Sequence, residues 1–139
     1  GGKSMVNKAK QATEELSSKP KIMMVTILTA LNDKDLKDMG NENTVVQQVE
    51  RLAKLAEESK VGVVCSGHEA KIVRKILGPD LLIFTPGIRM NEDNKNDQKR
   101  ICTPLESIKN GANKIIMGRS IIKGNIEENL DKVSNSIKE

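Results

Sequence analysis

Near the N-terminus, apolar residues fall at Met5, Val6, Ala9, Ala12 and Leu16, close to the spacing of one helix face, with Ser4 placed to cap it. Ser17 to Pro20 ends that pattern. The run Lys21 to Leu28 (KIMMVTIL) reads as a short buried strand. Asn32 and Asp33 open a polar turn and a short helix that closes near Gly40. Val45, Val46, Val49, Leu52, Ala53 and Ala56 predict an amphipathic helix from about Thr44 to Glu58. Val61 to Cys65 (VGVVC) is a second buried strand. Ser66-x-x-Glu69 has the form of a capping box, opening a helix that runs to Leu77 with Gly78 just past its end. Leu81 to Thr85 (LLIFT) is a third strand, broken by Pro86 and Gly87. Residues 88 to 100 form a long polar loop. Thr103-Pro104-x-Glu106 starts a helix that stops by Gly111, and Lys114 to Met117 is a fourth strand. A last helix starts near Asn125, with Glu127 and Glu128 in its first turn, and is expected to bury Ile126, Leu130, Val133 and Ile137.

The order is one helix, then four strand–helix units. Regular alternation with near-continuous apolar strands predicts an α/β fold with a parallel sheet. No linker, low-complexity tract or sequence repeat divides the chain, so residues 1–139 read as a single unit. A complete (β/α)₈ barrel takes about 250 residues, so the 139 residues match half of one. Strand residues that need cover on such a sheet are expected among Val25, Ile27, Val63, Ile83, Ile115 and Met117.

Charge invites a nucleic-acid reading, since the net charge is +4. The 23 Lys and Arg are scattered among 19 Asp and Glu, however, and Phe84 is the only aromatic. Neither a basic stripe nor a stacking platform results, which argues against nucleic acid and fits a phosphorylated small molecule. No apolar run approaches the roughly 20 residues of a membrane span. Cys65 and Cys102 make no disulfide scaffold and read as reduced thiols of a cytosolic protein. With His68 as the lone histidine, no metal site is expected.

Candidate chemistry lies at the C-terminal ends of the strands, where parallel α/β structures bind ligands. Thr85-Pro86-Gly87-Ile88-Arg89 offers a fixed turn, a glycine permitting close backbone approach, and a guanidinium. Gly118-Arg119 repeats the pairing one strand later. Both suit phosphate oxygens. Against this stands the plain reading of each loop alone, a turn glycine beside a solvated arginine. His68 lacks a nearby nucleophile, and the two thiols lack a nearby base.

The strand ends V-T-I-L-T at 25–29, G-V-V-C-S at 62–66, T-P-G-I-R at 85–89, D-Q-K-R at 97–100, T-P at 103–104 and M-G-R-S at 117–120 resemble the bacterial type of the orotidine 5′-phosphate decarboxylase family. The likeness runs in order along nearly the whole chain. It implies a cytoplasmic, dimeric TIM barrel without cofactor or metal, converting orotidine 5′-phosphate to UMP and carbon dioxide in pyrimidine biosynthesis. It implies that Thr29 contacts the pyrimidine, that Arg89, Arg119 and the Gly118 backbone grip the phosphate, that Gln98 bridges phosphate and base, and that Pro86 forms part of the apolar wall.

One element of the family pattern is missing. Its D-x-K-x-x-D signature, on the third barrel strand, supplies the lysine that protonates the carbanion left by carbon dioxide. Here Lys34-Asp35 and Asp38 fall in a polar helical stretch instead, and Gly1-Gly2 resemble the glycines after the fourth strand. The chain therefore resembles strands five to eight, with no catalytic residue of its own. The expected partners are the substrate and either a missing N-terminal half or a second copy of the chain. Competing readings are a non-catalytic nucleotide or phosphate binder, a related sugar-phosphate decarboxylase, and an interaction or nucleic-acid module.

Overall fold

The computed structural model describes residues 2–90 and 99–138. Four strands, β1 (Met23–Val25), β2 (Gly62–Val64), β3 (Ile83–Thr85) and β4 (Lys114–Ile115), pair side by side in chain order, each pair parallel. Helix α1 (Gly2–Glu14) precedes β1. Helices α2 (Asp33–Asp38) and α3 (Val45–Glu58) separate β1 from β2, α4 (Ala70–Leu77) separates β2 from β3, and α5 (Pro104–Lys109) separates β3 from β4. After β4 come the short α6 (Arg119–Ile122) and α7 (Ile126–Ile137). The parallel α/β alternation expected from the apolar runs is present, although each strand is shorter than its run. Helix α6 carries no sequence signal of its own and went unpredicted.

Register decides which side of the sheet is covered. Met24 pairs with Val63, and Val63 with Ile83. Val63 and Ile83 are fully buried, packed with Val49 and Ala53 of α3 and Val73 of α4. One position along, Val25, Val64, Phe84 and Lys114 form the next row. Successive strand residues point to opposite faces, so this row lies away from the helices, and Val25 there is 54% exposed. The six residues expected to need cover thus do not share a face. Val63 and Ile83 are covered by this chain's own helices, whereas Val25 is not.

Helix ends follow local chemistry in most places. Thr44 and Thr103 each close a reciprocal capping box with the residue three on, Gln47 and Glu106, and Asn32 does so with Asp35. Asn125 caps α7 through the amides of Glu127 and Glu128. Gly78 ends α4 at φ +68°, a left-handed conformation that glycine takes without strain. At the end of the sheet away from the strand C-termini, Arg74 donates to the carbonyls of Gly78, Leu81 and Gly111. That fork joins the loop before β3 to the loop before β4.

Three expectations are corrected. Helix α1 already includes Gly2, so Ser4 lies within its first turn and caps nothing; of its apolar face only Val6 is buried. The Ser66–Glu69 capping box does not form: Ser66 Oγ accepts from the His68 amide, and α4 begins at Ala70 with no side-chain cap. On α7 only Val133 is buried, while Ile126 and Leu130 stay about half exposed, because among the described residues nothing packs over that face.

Candidate functional site

The loops leaving the strand C-termini converge through one arginine. Arg100 sits on the segment that returns toward β4. Its Nε donates to the Leu31 carbonyl at 3.0 Å, and Nη2 donates to the carbonyls of Ile27 (3.0 Å) and Leu28 (2.9 Å). Its Nη1 lies 2.6 Å from Glu69 Oε1, and both side chains are buried or nearly so. Three loops, those after β1, β2 and β3, thereby share one guanidinium. Breaking a buried ion pair costs about 3–5 kcal/mol, against about 1 kcal/mol for losing a cap. This is the physical reason that Glu69 turns to Arg100 and leaves Ser66 without its box.

Thr29 is buried beside this fork. Its carbonyl accepts the amides of Lys99 (3.1 Å) and Arg100 (3.2 Å). Gly87, at φ +72°, lets the loop after β3 pass close by: a Cβ on it would lie 3.1 Å from Thr29 Cγ2 and 3.2 Å from the Arg100 carbonyl. Pro86, half-buried, leads into that glycine. The chain then forms a parallel bridge between Ile88 and Cys102, with the Arg89 amide donating to the Cys102 carbonyl at 3.0 Å.

Arg89 is only 6% exposed. Its Nη1 donates to the Ile88 carbonyl at 2.8 Å, whereas its Nε is buried and has no partner among the described residues. A buried, unsatisfied guanidinium nitrogen is costly, so this donor is open to an oxygen that the described residues do not provide. Gly118 and Arg119 follow β4, which pairs with β3 through Thr85 and Ile115, so their loop is next to the one carrying Arg89. Both are exposed. Gln98 lies outside the described residues.

The two thiols are sealed. Burial pushes Cys65 up to about 12, with the Glu69 carboxylate adding to the effect; burial and the Glu106 carboxylate do the same for Cys102. Thiols so protonated are poor nucleophiles and poor metal ligands. Among the described residues no three His, Cys, Asp or Glu side chains cluster as a metal site would require. No helix there is long and apolar enough to cross a membrane.

Thr29, Pro86 and Arg89 are thus gathered at one end of the sheet, with Gly118 and Arg119 just after the neighbouring strand, at the start of α6. Arg100 and Glu69 were missed as members of the site. Sequence held only a faint signal for them: an arginine at the end of the polar loop, and a glutamate 31 positions away whose local motif offered it another role.

Four parallel strands in chain order, joined through helices and with polar and basic loops at their C-terminal ends, have the architecture of half a (β/α)₈ barrel. The sequence profile described as Orotidine 5'-phosphate decarboxylase / HUMPS family matches residues 1–132, and the chain belongs to that family. It is 42% identical over 123 residues to the orotidine 5′-phosphate decarboxylase of Neisseria meningitidis serogroup A, covering 87% of this chain and 50% of that protein. The corresponding figures for the orotidine 5′-phosphate decarboxylase of Trichlorobacter lovleyi are 46% over 127 residues, with 88% and 53% covered. The crystal structure of orotidine 5′-phosphate decarboxylase from Lactobacillus acidophilus superposes with a TM-score of 0.79 at 29% identity, covering 99% of this chain and 60% of that one. The chain spans about half the length of the curated relatives it matches.

Proposed function

We propose that this chain supplies the phosphate- and pyrimidine-binding half of an orotidine 5′-phosphate decarboxylase, the enzyme that converts orotidine 5′-phosphate to UMP and carbon dioxide. The observation that carries this reading is the buried Nε of Arg89, unpartnered among the described residues and set at a strand C-terminus beside Thr29 and Gly87. In this reading Arg89 and Arg119 hold the phosphate with the Gly118 N–H, and charge-assisted bonds make that grip strong. Thr29 meets the pyrimidine, Pro86 walls it, and Gln98 bridges base and phosphate. Binding energy gathered on the phosphate, away from the reacting carbon, is then available for the transition state.

When carbon dioxide leaves, its bonding pair stays on the ring carbon and needs a positioned proton donor. The chain contains no D-x-K-x-x-D pattern, and its Lys34, Asp35 and Asp38 lie on α2, where Asp35 pairs with Lys99, and not on a strand. The proton donor therefore comes from a complementary half-barrel bearing that signature. That half would also cover the row containing Val25 and pair with the open edges of β1 and β4.

The test is a steady-state decarboxylation assay. This chain alone is expected to show no turnover, and a polypeptide carrying the signature strands is expected to restore it on mixing or fusion. Turnover that follows this chain through purification would sink the half-enzyme reading. Failure of the chain to bind UMP at all would sink the nucleotide reading.

A further inference from the structure

The Arg100 fork is more than the site's binding residues require. It ties together segments 27–31, 69 and 99–100. Nε and Nη2 donate to three backbone carbonyls of the loop after β1, and Nη1 stands in ion-pair contact with the carboxylate just before α4, without a hydrogen-bond partner among the described residues. Leu31 donates to the Leu28 carbonyl, and Thr29 receives two amides, both from the segment that carries Arg100. The Arg100 side chain and the amides of Lys99 and Arg100 thus reach four carbonyls of segment 27–31, those of Ile27, Leu28, Thr29 and Leu31.

We infer that Arg100, neutralised by Glu69, is the positioning residue that fixes the Thr29 loop and so sets how the site discriminates a nucleotide from bare phosphate. The inference rests on the proposed nucleotide reading for what Thr29 touches, but not for the clamp itself. The planar fork is essential, because a lysine in its place retains the charge for Glu69 and cannot bond three carbonyls in fixed directions. The phosphate-gripping groups are less dependent on the fork. Arg89 is fixed through Ile88 and Cys102, and Arg119 follows a different strand. Loosening the clamp therefore acts on the pyrimidine end of the ligand and spares the phosphate end.

The experiment uses the full chain with Arg100→Lys. Hydrogen exchange is followed at Leu31, and affinities for UMP and for inorganic phosphate are measured by titration. The Leu31 amide is expected to exchange roughly tenfold faster or more while the amides of α3 and α4 keep their protection. Affinity for UMP should fall about tenfold and that for inorganic phosphate should stay within about twofold. A merely structural role would weaken both ligands together, and that outcome overturns the inference. So does unchanged Leu31 exchange in the folded variant. Should Arg100→Lys not fold, the double variant Glu69→Gln with Arg100→Met removes both buried charges at once, a change that proteins tolerate, and the same readouts apply. If the unmodified chain binds no UMP, the nucleotide reading falls, and Leu31 exchange alone decides whether the clamp exists.

Discussion

At the scale of single residues, the two arginines proposed for phosphate are differently placed. Arg89 is buried and locked by its neighbours, while Arg119 is exposed at the start of α6. Arg119→Ala is therefore the cleaner probe, since it should leave the fold intact. It is expected to weaken UMP by roughly 1.5–3 kcal/mol, the worth of a charge-assisted contact, and uridine hardly at all. Paired titrations with the two ligands check this; equal weakening would mark Arg119 as a surface residue. The thiols give an independent reading of the core. With Cys65 and Cys102 raised to about 12, about one thiol in ten thousand is ionised at pH 8. Iodoacetamide should modify both slowly in the folded chain and rapidly in denaturant. Because the folded chain holds these protons more tightly than the unfolded one, their contribution to stability is whole below the thiol's ordinary value of 9.0. It is lost as the pH climbs from there toward 12.

Among the elements, α5 is the most legible piece of the chain. Thr103 caps it, Pro104 fills its first position, and Glu106 accepts from both the Thr103 amide (2.9 Å) and hydroxyl (2.8 Å). Those bonds hold the Glu106 carboxyl below its ordinary value, the backbone bond foremost. The cap's contribution is thus complete above pH 4.5 and is lost as acidification passes that value. Thr103→Ala should cost about 1 kcal/mol in urea unfolding at pH 7. The variant's deficit should shrink when the measurement is repeated well below pH 4, and a deficit independent of pH would contradict the reciprocal bond. Motifs of this kind can be read from sequence because both partners lie within one turn. Ser66-x-x-Glu69 has the same spelling and fails, since a buried guanidinium 31 residues away competes for the carboxylate and wins. Motifs at strand ends can single out Thr29, Arg89 and Arg119 as candidates, whereas Arg100 is not singled out that way. Its partners are defined only once the sheet has brought distant loops together.

For the whole molecule, Val25, Leu28, Ile116 and Ile122 are apolar side chains left exposed that a complementary half-barrel could cover. The isolated chain is expected to self-associate at micromolar concentration or to bind a hydrophobic dye, and a complementary half-barrel should abolish the dye signal. Light scattering that shows a compact, cooperatively melting monomer of 15.3 kDa without dye binding would contradict this. The strand order has a different consequence, for synthesis. Because β1, β2, β3 and β4 are neighbours in space in the order they are made, each ladder among the described strands can form as soon as its second strand has been translated. A nascent chain that ends after α4 already contains Val49, Ala53, Val63 and Val73, the heart of the buried cluster. Each later unit needs only the edge its predecessor has just completed, so the protein can grow from the ribosome like a row of bricks laid from one end.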